Sequence, residues 1–216
     1  MTGGLEVADL PHEATARAIK LGTSTLYEAS GLACSLDTDI RPIWSGAAIA
    51  APVYPLACAP GDNLAIHIGM ERAPQGSVLV VATGSYLAGY WGEVLTVAAE
   101  AAGIAGLVID GGVRDIAALT ARQFPVFSRG ISMRGTIKAS VPSVGAPIQI
   151  GGVTARAGDF LVADDDGVLI IPRSEVGRTI VAGEQRAAKE ADMMAKLAAG
   201  ATTLDLMGLS SWRTEV

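Results

Sequence analysis

Ser77-Val-Leu-Val-Val-Ala82, then Glu93-Val-Leu-Thr-Val-Ala-Ala-Glu-Ala-Ala102 closed by Gly103, then Gly106-Leu-Val-Ile-Asp110 form the run that decides the fold. The outer pieces are short apolar runs without polar alternation, so they read as strands buried on both faces. The middle piece is Ala-rich and of helical length, and the glycine behind it can take the left-handed position that ends a helix. Strand, helix and strand in close succession imply a parallel crossover, and hence an α/β domain.

Upstream, Pro11 to Gly31 reads as helix in two pieces, with Ser24 or Thr25 able to cap the second. Ala47 to Tyr54 reads as a small-residue strand, and Pro60-Gly61-Asp62-Asn63 turns the chain into a short helix through Glu71. Glycines 84, 89 and 92 read as a loop before the Glu93 helix. Downstream, Asp115 can begin a helix to about Arg122, with a short strand at Pro125 to Ser128 after it. Ile148 to Arg156 is broken by Gly151-Gly152. Phe160 to Ala163 and Val168 to Ile171 flank Asp164-Asp165-Asp166-Gly167, a hairpin signal stronger than the rival reading of a cation site. Ser174 to about Ala199 is a long Ala-rich helix, and the tail through Trp212 reads as irregular. The expected organisation is one domain over 1–216, its core at about 40–172, with helical extensions at both ends.

Of the 216 residues 50% are apolar and 18% charged, enough hydrophobic surface for a sizeable core and too much for a disordered regulator. A net charge of −6 repels phosphate backbones and anionic membranes, so nucleic acid and membrane are not expected partners. Cys34 and Cys58 lie far apart, outside any metal or disulfide spacing, and read as buried thiols of a reducing compartment. The opening Met1-Thr-Gly-Gly-Leu-Glu-Val-Ala-Asp9 lacks the basic start and apolar core of a signal peptide, and a cytoplasmic location is expected.

Phosphate-loop, dinucleotide, zincin and nucleophile-elbow patterns are missing, which weakens nucleotide-dependent and triad chemistry. His12 and His67 are too few for a multi-histidine metal site, and His67 on its helix reads as packed rather than catalytic. The informative pieces are Gly89-Tyr90-Trp91-Gly92-Glu93 and Asp110-Gly111-Gly112-Val113-Arg114-Asp115, both at loop-to-helix junctions beside buried strands, where α/β folds place ligands. A helix starting at Glu93 offers the free amides of Glu93, Val94 and Leu95 to a carboxylate. Asp115 can give a hard oxygen to Mg²⁺ or Mn²⁺, Arg114 can stabilise a developing enolate oxygen, and Glu93 can hold a metal-bound water. A plainer reading of the same residues has Asp115 capping its helix and Arg114 paired with a neighbouring acid. Arg129 suits either a substrate's distal carboxylate or a strand end.

From about Asp62-Asn63-Leu64 through Pro172 the sequence resembles the RraA-like proteins, which include 4-hydroxy-4-methyl-2-oxoglutarate aldolases and a ribonuclease E activity regulator. The resemblance is carried by Gly-Leu-Val-Ile-Asp-Gly-Gly-Val-Arg-Asp at 106–115, Pro125-Val-Phe-Ser-Arg-Gly130, Ile150-Gly-Gly-Val153, Gly158-Asp159 and Ala163-Asp-Asp-Asp-Gly-Val168. It implies a layered α/β sandwich with a phosphohistidine-domain-like, swivelling core, a mixed sheet, trimers or hexamers, and an active site at a subunit interface. The family's aldolases resemble D-x20-R-D and its regulators G-x20-R-D-x2-[DE]. Here Glu93 stands twenty-one positions before Arg114, and Ala118 occupies the later acidic position, so the carboxylate pattern is that of the aldolases with Glu in place of Asp.

That resemblance implies a divalent-metal-dependent class II aldolase. It would cleave 2-oxo diacids of the 4-hydroxy-4-methyl-2-oxoglutarate type to pyruvate, with oxaloacetate decarboxylation as a side activity. Its catalytic residues are Arg114 and Glu93, its substrate-binding residues Val94, Leu95 and Arg114, and its metal ligand Asp115, with Mg²⁺ or Mn²⁺ as cofactor. The resemblance also implies an acid from a neighbouring subunit near the metal, for which Glu190 on the long C-terminal helix is the candidate. The alternative is a non-catalytic regulator that binds a ribonuclease as protein partner.

Overall fold

The computed structural model describes residues 10–214; the Met1–Asp9 opening and the side chain of His12 lie outside the described residues. In chain order the elements are α1 (Leu10–Ser30), β1 (Arg41–Pro42), β2 (Ile49–Ala57), α2 (Leu64–Arg72), β3 (Val78–Ala82), β4 (Gly89–Trp91), α3 (Glu93–Ala102), β5 (Gly106–Val113), α4 (Ile116–Arg122) and β6 (Val126–Ile131). Then follow β7 (Ser143–Val144), β8 (Ile148–Ile150), β9 (Val153–Ala155), β10 (Phe160–Asp164), β11 (Gly167–Ile171), α5 (Val176–Ala198) and α6 (Thr203–Leu206). The main sheet runs β1-β6-β5-β3-β2-β10-β11, with β4 added beside β5 and β7 beside β2. Its centre is parallel, β3 with β5 as the sequence predicts, and its β10–β11 flank is antiparallel. Arg41 of β1 donates to the Asp166 carbonyl in the turn before β11 at 2.8 Å, so the two edges approach and the sheet nearly closes.

Strand alternation assigns each side chain to a layer. Leu79 and Val81 of β3 with Leu107 and Ile109 of β5 face α2, α3 and α4 in one apolar cluster. Val78, Val80 and Val108 face the opposite way, where they meet Leu161 and Ala163 of β10 and the β8–β9 hairpin. Phe160 and Val162 of β10 point outward again and are covered by α1 and α5. The hairpin reading of 164–167 holds, and each acid there has a partner of its own. Asp164 accepts from the Thr23 amide (2.7 Å) and hydroxyl (2.5 Å), Asp165 from the Gly46 amide, and Asp166 from the Ser24 hydroxyl. Asp164 thereby caps the second half of α1, which is kinked at Gly22 (φ 77°) as the two-piece expectation requires.

Four differences from the sequence reading have local causes. The glycine loop contains a strand, β4, because Tyr90 and Trp91 bury their rings completely and Trp91 stacks on Phe124 at 6.1 Å. β5 continues past Asp110 through Gly111-Gly112, since a Cβ at Gly112 would come within 2.6 Å of the Ala88 carbonyl, and only glycine admits that approach. The Ala47 to Tyr54 strand lies further on, at Ile49–Ala57. The tail is not irregular: the Thr202 side chain accepts from the Asp205 amide and starts α6. No helix among the described residues is long and apolar enough to cross a membrane.

Candidate active site

β4, β5, α2, α3 and the segment after β6 surround a cavity of about 300 Å³ lined by Asn63, His67, Val94, Leu95, Arg114, Asp115, Thr136 and Lys138 among others. Its floor is stiff. Trp91 donates from Nε1 to the Thr96 hydroxyl at 2.7 Å, and that hydroxyl bonds the Gly92 carbonyl at 3.2 Å, which fixes the start of α3 to β4. Asp115 follows β5 in the left-handed backbone region (φ 60°), a conformation that aspartate tolerates better than most side chains. It precedes α4 without capping it. Its Oδ2 instead accepts the Glu93 amide of the neighbouring helix at 3.0 Å, with Arg114 Nε 3.7 Å away. The helix-cap reading of Asp115 is thereby overturned, while its pairing with Arg114 is real.

Gly92 makes that arrangement possible, because a Cβ there would collide with the Asp115 carboxylate. With the Glu93 amide spent on Asp115, α3 is left with the amides of Val94 and Leu95 as open donors among the described residues, at the positive end of its dipole and at the cavity wall. Arg114, Asp115, Val94 and Leu95 therefore come together. The Glu93 carboxylate does not join them: it lies toward α4, 3.4 Å from Arg122, which also holds Glu100 at 2.9 Å. Glu190 pairs with Arg186 on α5 at 2.7 Å, outside the cavity of its own chain. Arg129 does not line this cavity and holds Asp37 (2.7 Å) and Asp39 (3.1 Å), as the strand-end reading has it.

The opposite wall was not read as functional. Asn63 Nδ2 donates to the Tyr90 carbonyl at 3.0 Å, which leaves the buried Oδ1 without a partner among the described residues. Four residues on, one helical turn later, His67 also lines the cavity with a buried, unpartnered Nε2. Burial, and then the nearby Lys138 cation, hold the His67 pKa below its ordinary value, so the ring is neutral at pH 7 and one of its nitrogens is an acceptor. The i, i+4 spacing of Asn63 and His67 was the available signal. Lys138 had none, since its segment lacks periodicity. The two thiols are buried as expected, and burial pushes Cys58 up to about 12.

Whether these donors suit a divalent cation turns on their number. Among the described residues no three His, Cys, Asp or Glu side chains cluster as a metal cage. Asp115 offers one hard oxygen beside a water-sized space. One carboxylate, with substrate oxygens and water completing the shell, suits Mg²⁺ or Mn²⁺, and does not suit zinc, which takes three or four protein ligands.

The fold is that of an α/β protein with a cavity at the N-terminus of α3. The chain belongs to the RraA-like family, whose Aldolase/RraA model matches residues 23–170. It is 35% identical over 154 residues to a Halalkalibacterium halodurans protein named "Putative 4-hydroxy-4-methyl-2-oxoglutarate aldolase", covering 71% of this chain and 73% of that one. Among solved structures it is similar to an uncharacterized Pseudomonas syringae protein, with a TM-score of 0.77, 25% identity, and coverage of 88% and 94% of the two chains. It is also similar to the RNA-processing inhibitor RraA of Thermus thermophilis, with a TM-score of 0.59, 29% identity, and coverage of 64% and 84%.

Proposed function

We propose that this protein is a carbon–carbon lyase that releases pyruvate from short 2-oxo diacids such as 4-hydroxy-4-methyl-2-oxoglutarate, and that decarboxylates oxaloacetate in the same cavity. The observation that carries the reading is the convergence of Arg114, Asp115 and the open amides of Val94 and Leu95 on one wall. A Mg²⁺ or Mn²⁺ ion held by Asp115 would supply Lewis-acid polarisation of the 2-keto group. The Val94 and Leu95 amides bind the 1-carboxylate through directed N–H bonds and the helix dipole. Arg114 donates to the oxygen on which enolate charge develops, an interaction stronger in the transition state than in the ground state.

Lys138, across the cavity, offers the charge for the second carboxylate that Arg129, tied to its own acids, does not. Glu93, swung from Arg122 toward the site, holds a water that takes the proton of the 4-hydroxyl. As that proton leaves, the C3–C4 bond breaks, its electron pair passes to the enolate, and C4 departs as a carbonyl. Protonation of C3 then gives pyruvate. With oxaloacetate the departing group is CO₂, and no 4-hydroxyl proton needs a base.

A cytoplasmic trimer, or a pair of trimers, is the proposed form. Val94 is 80% exposed at the cavity wall and Val97, one turn along α3, is exposed too, so a second copy covers apolar surface on α3. The similarity to an RNA-processing inhibitor supports one rival, a non-catalytic protein-binding regulator. Glu93, with Ala118 where the regulators carry an acid, favours the lyase. Pyruvate released from both 4-hydroxy-4-methyl-2-oxoglutarate and oxaloacetate supports it. Folded protein that turns over neither gives the reading to the regulator.

A further inference from the structure

Residues 132–142 supply Thr136 and Lys138 to the cavity, yet no side chain of theirs is buried. Met133 and Ile137, the apolar residues best able to anchor such a segment, face solvent. What holds it is a small set of polar bonds, most of them converging on one turn. The Asn63 amide donates to the Ile137 carbonyl at 3.0 Å, and the Ile137 amide to the Gly61 carbonyl at 2.8 Å. Between them sits Asp62, only 2% exposed. Its Oδ1 accepts the Leu64 amide (3.0 Å) at the start of α2. Its Oδ2 accepts three donors of the segment: the Ala139 amide (2.9 Å), the Ser140 amide (2.7 Å) and the Ser140 hydroxyl (2.9 Å). At the other end the Gly89 amide donates to the Arg134 carbonyl at 2.7 Å.

We infer that residues 132–142 form a strap across the cavity and that Asp62 is its tether, a positioning residue that sets where Lys138 and Thr136 stand relative to Asn63 and His67. A carboxylate is required because Oδ2 faces only donors, and a charged acceptor bonds backbone amides more strongly than a neutral one. Those same amides, Leu64 first and then Ala139 with Ser140, hold the Asp62 carboxyl below its usual range. In Asp62→Asn one oxygen must serve both sides: whichever way the amide turns, its NH₂ meets an N–H donor, at Leu64 or at Ala139 and Ser140, and with the charge also lost the strap is held more weakly. The tether does not depend on which reaction the cavity runs; its kinetic consequence rests on the lyase reading.

Trypsin tests it, since Arg134 and Lys138 lie in the strap while Lys196 on α5 serves as an internal reference. In the full chain, Asp62→Asn is expected to speed cleavage after Arg134 or Lys138 at least tenfold relative to Lys196, and Ser140→Ala, which removes one bond at an exposed position, at least twofold. In turnover of oxaloacetate, Asp62→Asn is expected to raise KM about tenfold with kcat within twofold, because the wall moves and the Arg114 side does not. Strap cleavage that stays at the parent rate, or rises only in step with Lys196, overturns the inference. If Asp62→Asn does not fold, Ser140→Ala decides alone on the same criterion. Fast strap cleavage in a protein whose parent form releases no pyruvate keeps the tether and removes the lyase.

Discussion

Asp115 and Arg114 are neighbours in sequence, and the duties proposed for them can be separated. Arg114→Lys keeps the charge but loses the planar fork that reaches two oxygens at once, so turnover is expected to fall roughly 100-fold or more while Mn²⁺ binding is retained. Asp115→Asn keeps shape and tolerates the same left-handed backbone, but loses the anion that suits a hard cation. Its Mn²⁺ affinity falls first, and added metal restores part of the rate. Titration calorimetry with Mn²⁺ beside steady-state kinetics checks both, and normal metal binding by Asp115→Asn with none by Arg114→Lys would reverse the assignment.

His67 gives a second test at this scale. It is one of only two histidines, so its ring resonances can be followed singly by NMR. The ring is expected to titrate below 6.5, and Lys138→Gln to move that titration upward, since the cation and burial both disfavour the charged form. Because the folded value is lowered, the associated stability is full above about pH 6.5 and declines as pH falls toward the folded value. A His67 titration unmoved by Lys138→Gln would place Lys138 away from the ring.

Among the elements, α3 was legible from sequence to the residue. A glycine stands at each end, Gly103 takes the left-handed backbone that its position requires (φ 73°), and the Ala-rich second half favours helix strongly. β4 was not legible, because Gly89-Tyr90-Trp91 is too short to show periodicity and its strand character comes from pairing with β5. The strap was illegible for the same kind of reason: its order resides in bonds to a turn, the Asp62 carboxylate among them, that lies 77 residues before Ala139. For the candidate site, Arg114, Asp115 and the α3 amides could be singled out from local pattern, but only the family resemblance favoured the catalytic reading over a helix start with an ion pair. Glu93 could be placed on α3 but not oriented, since its ion pair with Arg122 is a tertiary contact. The Asp164 cap gives an element-scale prediction. Asp164→Ala is expected to cost about 1–2 kcal/mol in urea unfolding, typical of a lost N-cap, and to leave turnover intact. An unchanged midpoint would mean that the second half of α1 is held by its α5 contact alone.

At the scale of the whole molecule, the parallel centre of the sheet brings the end of β5 beside the start of α3, and α2 with the strap closes the other side. The apolar side chains left in solvent near that cavity are the basis of the proposed oligomer. Light scattering at micromolar concentration is expected to give a mass of three or six chains, and a monomer would remove any site completed by a neighbour. As proposed, this cavity breaks a carbon–carbon bond with the help of a cation at Asp115. The most direct test is pyruvate release from oxaloacetate by the purified full chain, with Mg²⁺ and again in excess chelator, corrected for the metal's own reaction. The expected result is turnover with Mg²⁺, abolished by chelator and restored by added metal. Undiminished release in chelator, or folded Arg114→Lys and Asp115→Asn variants that work like the parent, would contradict it.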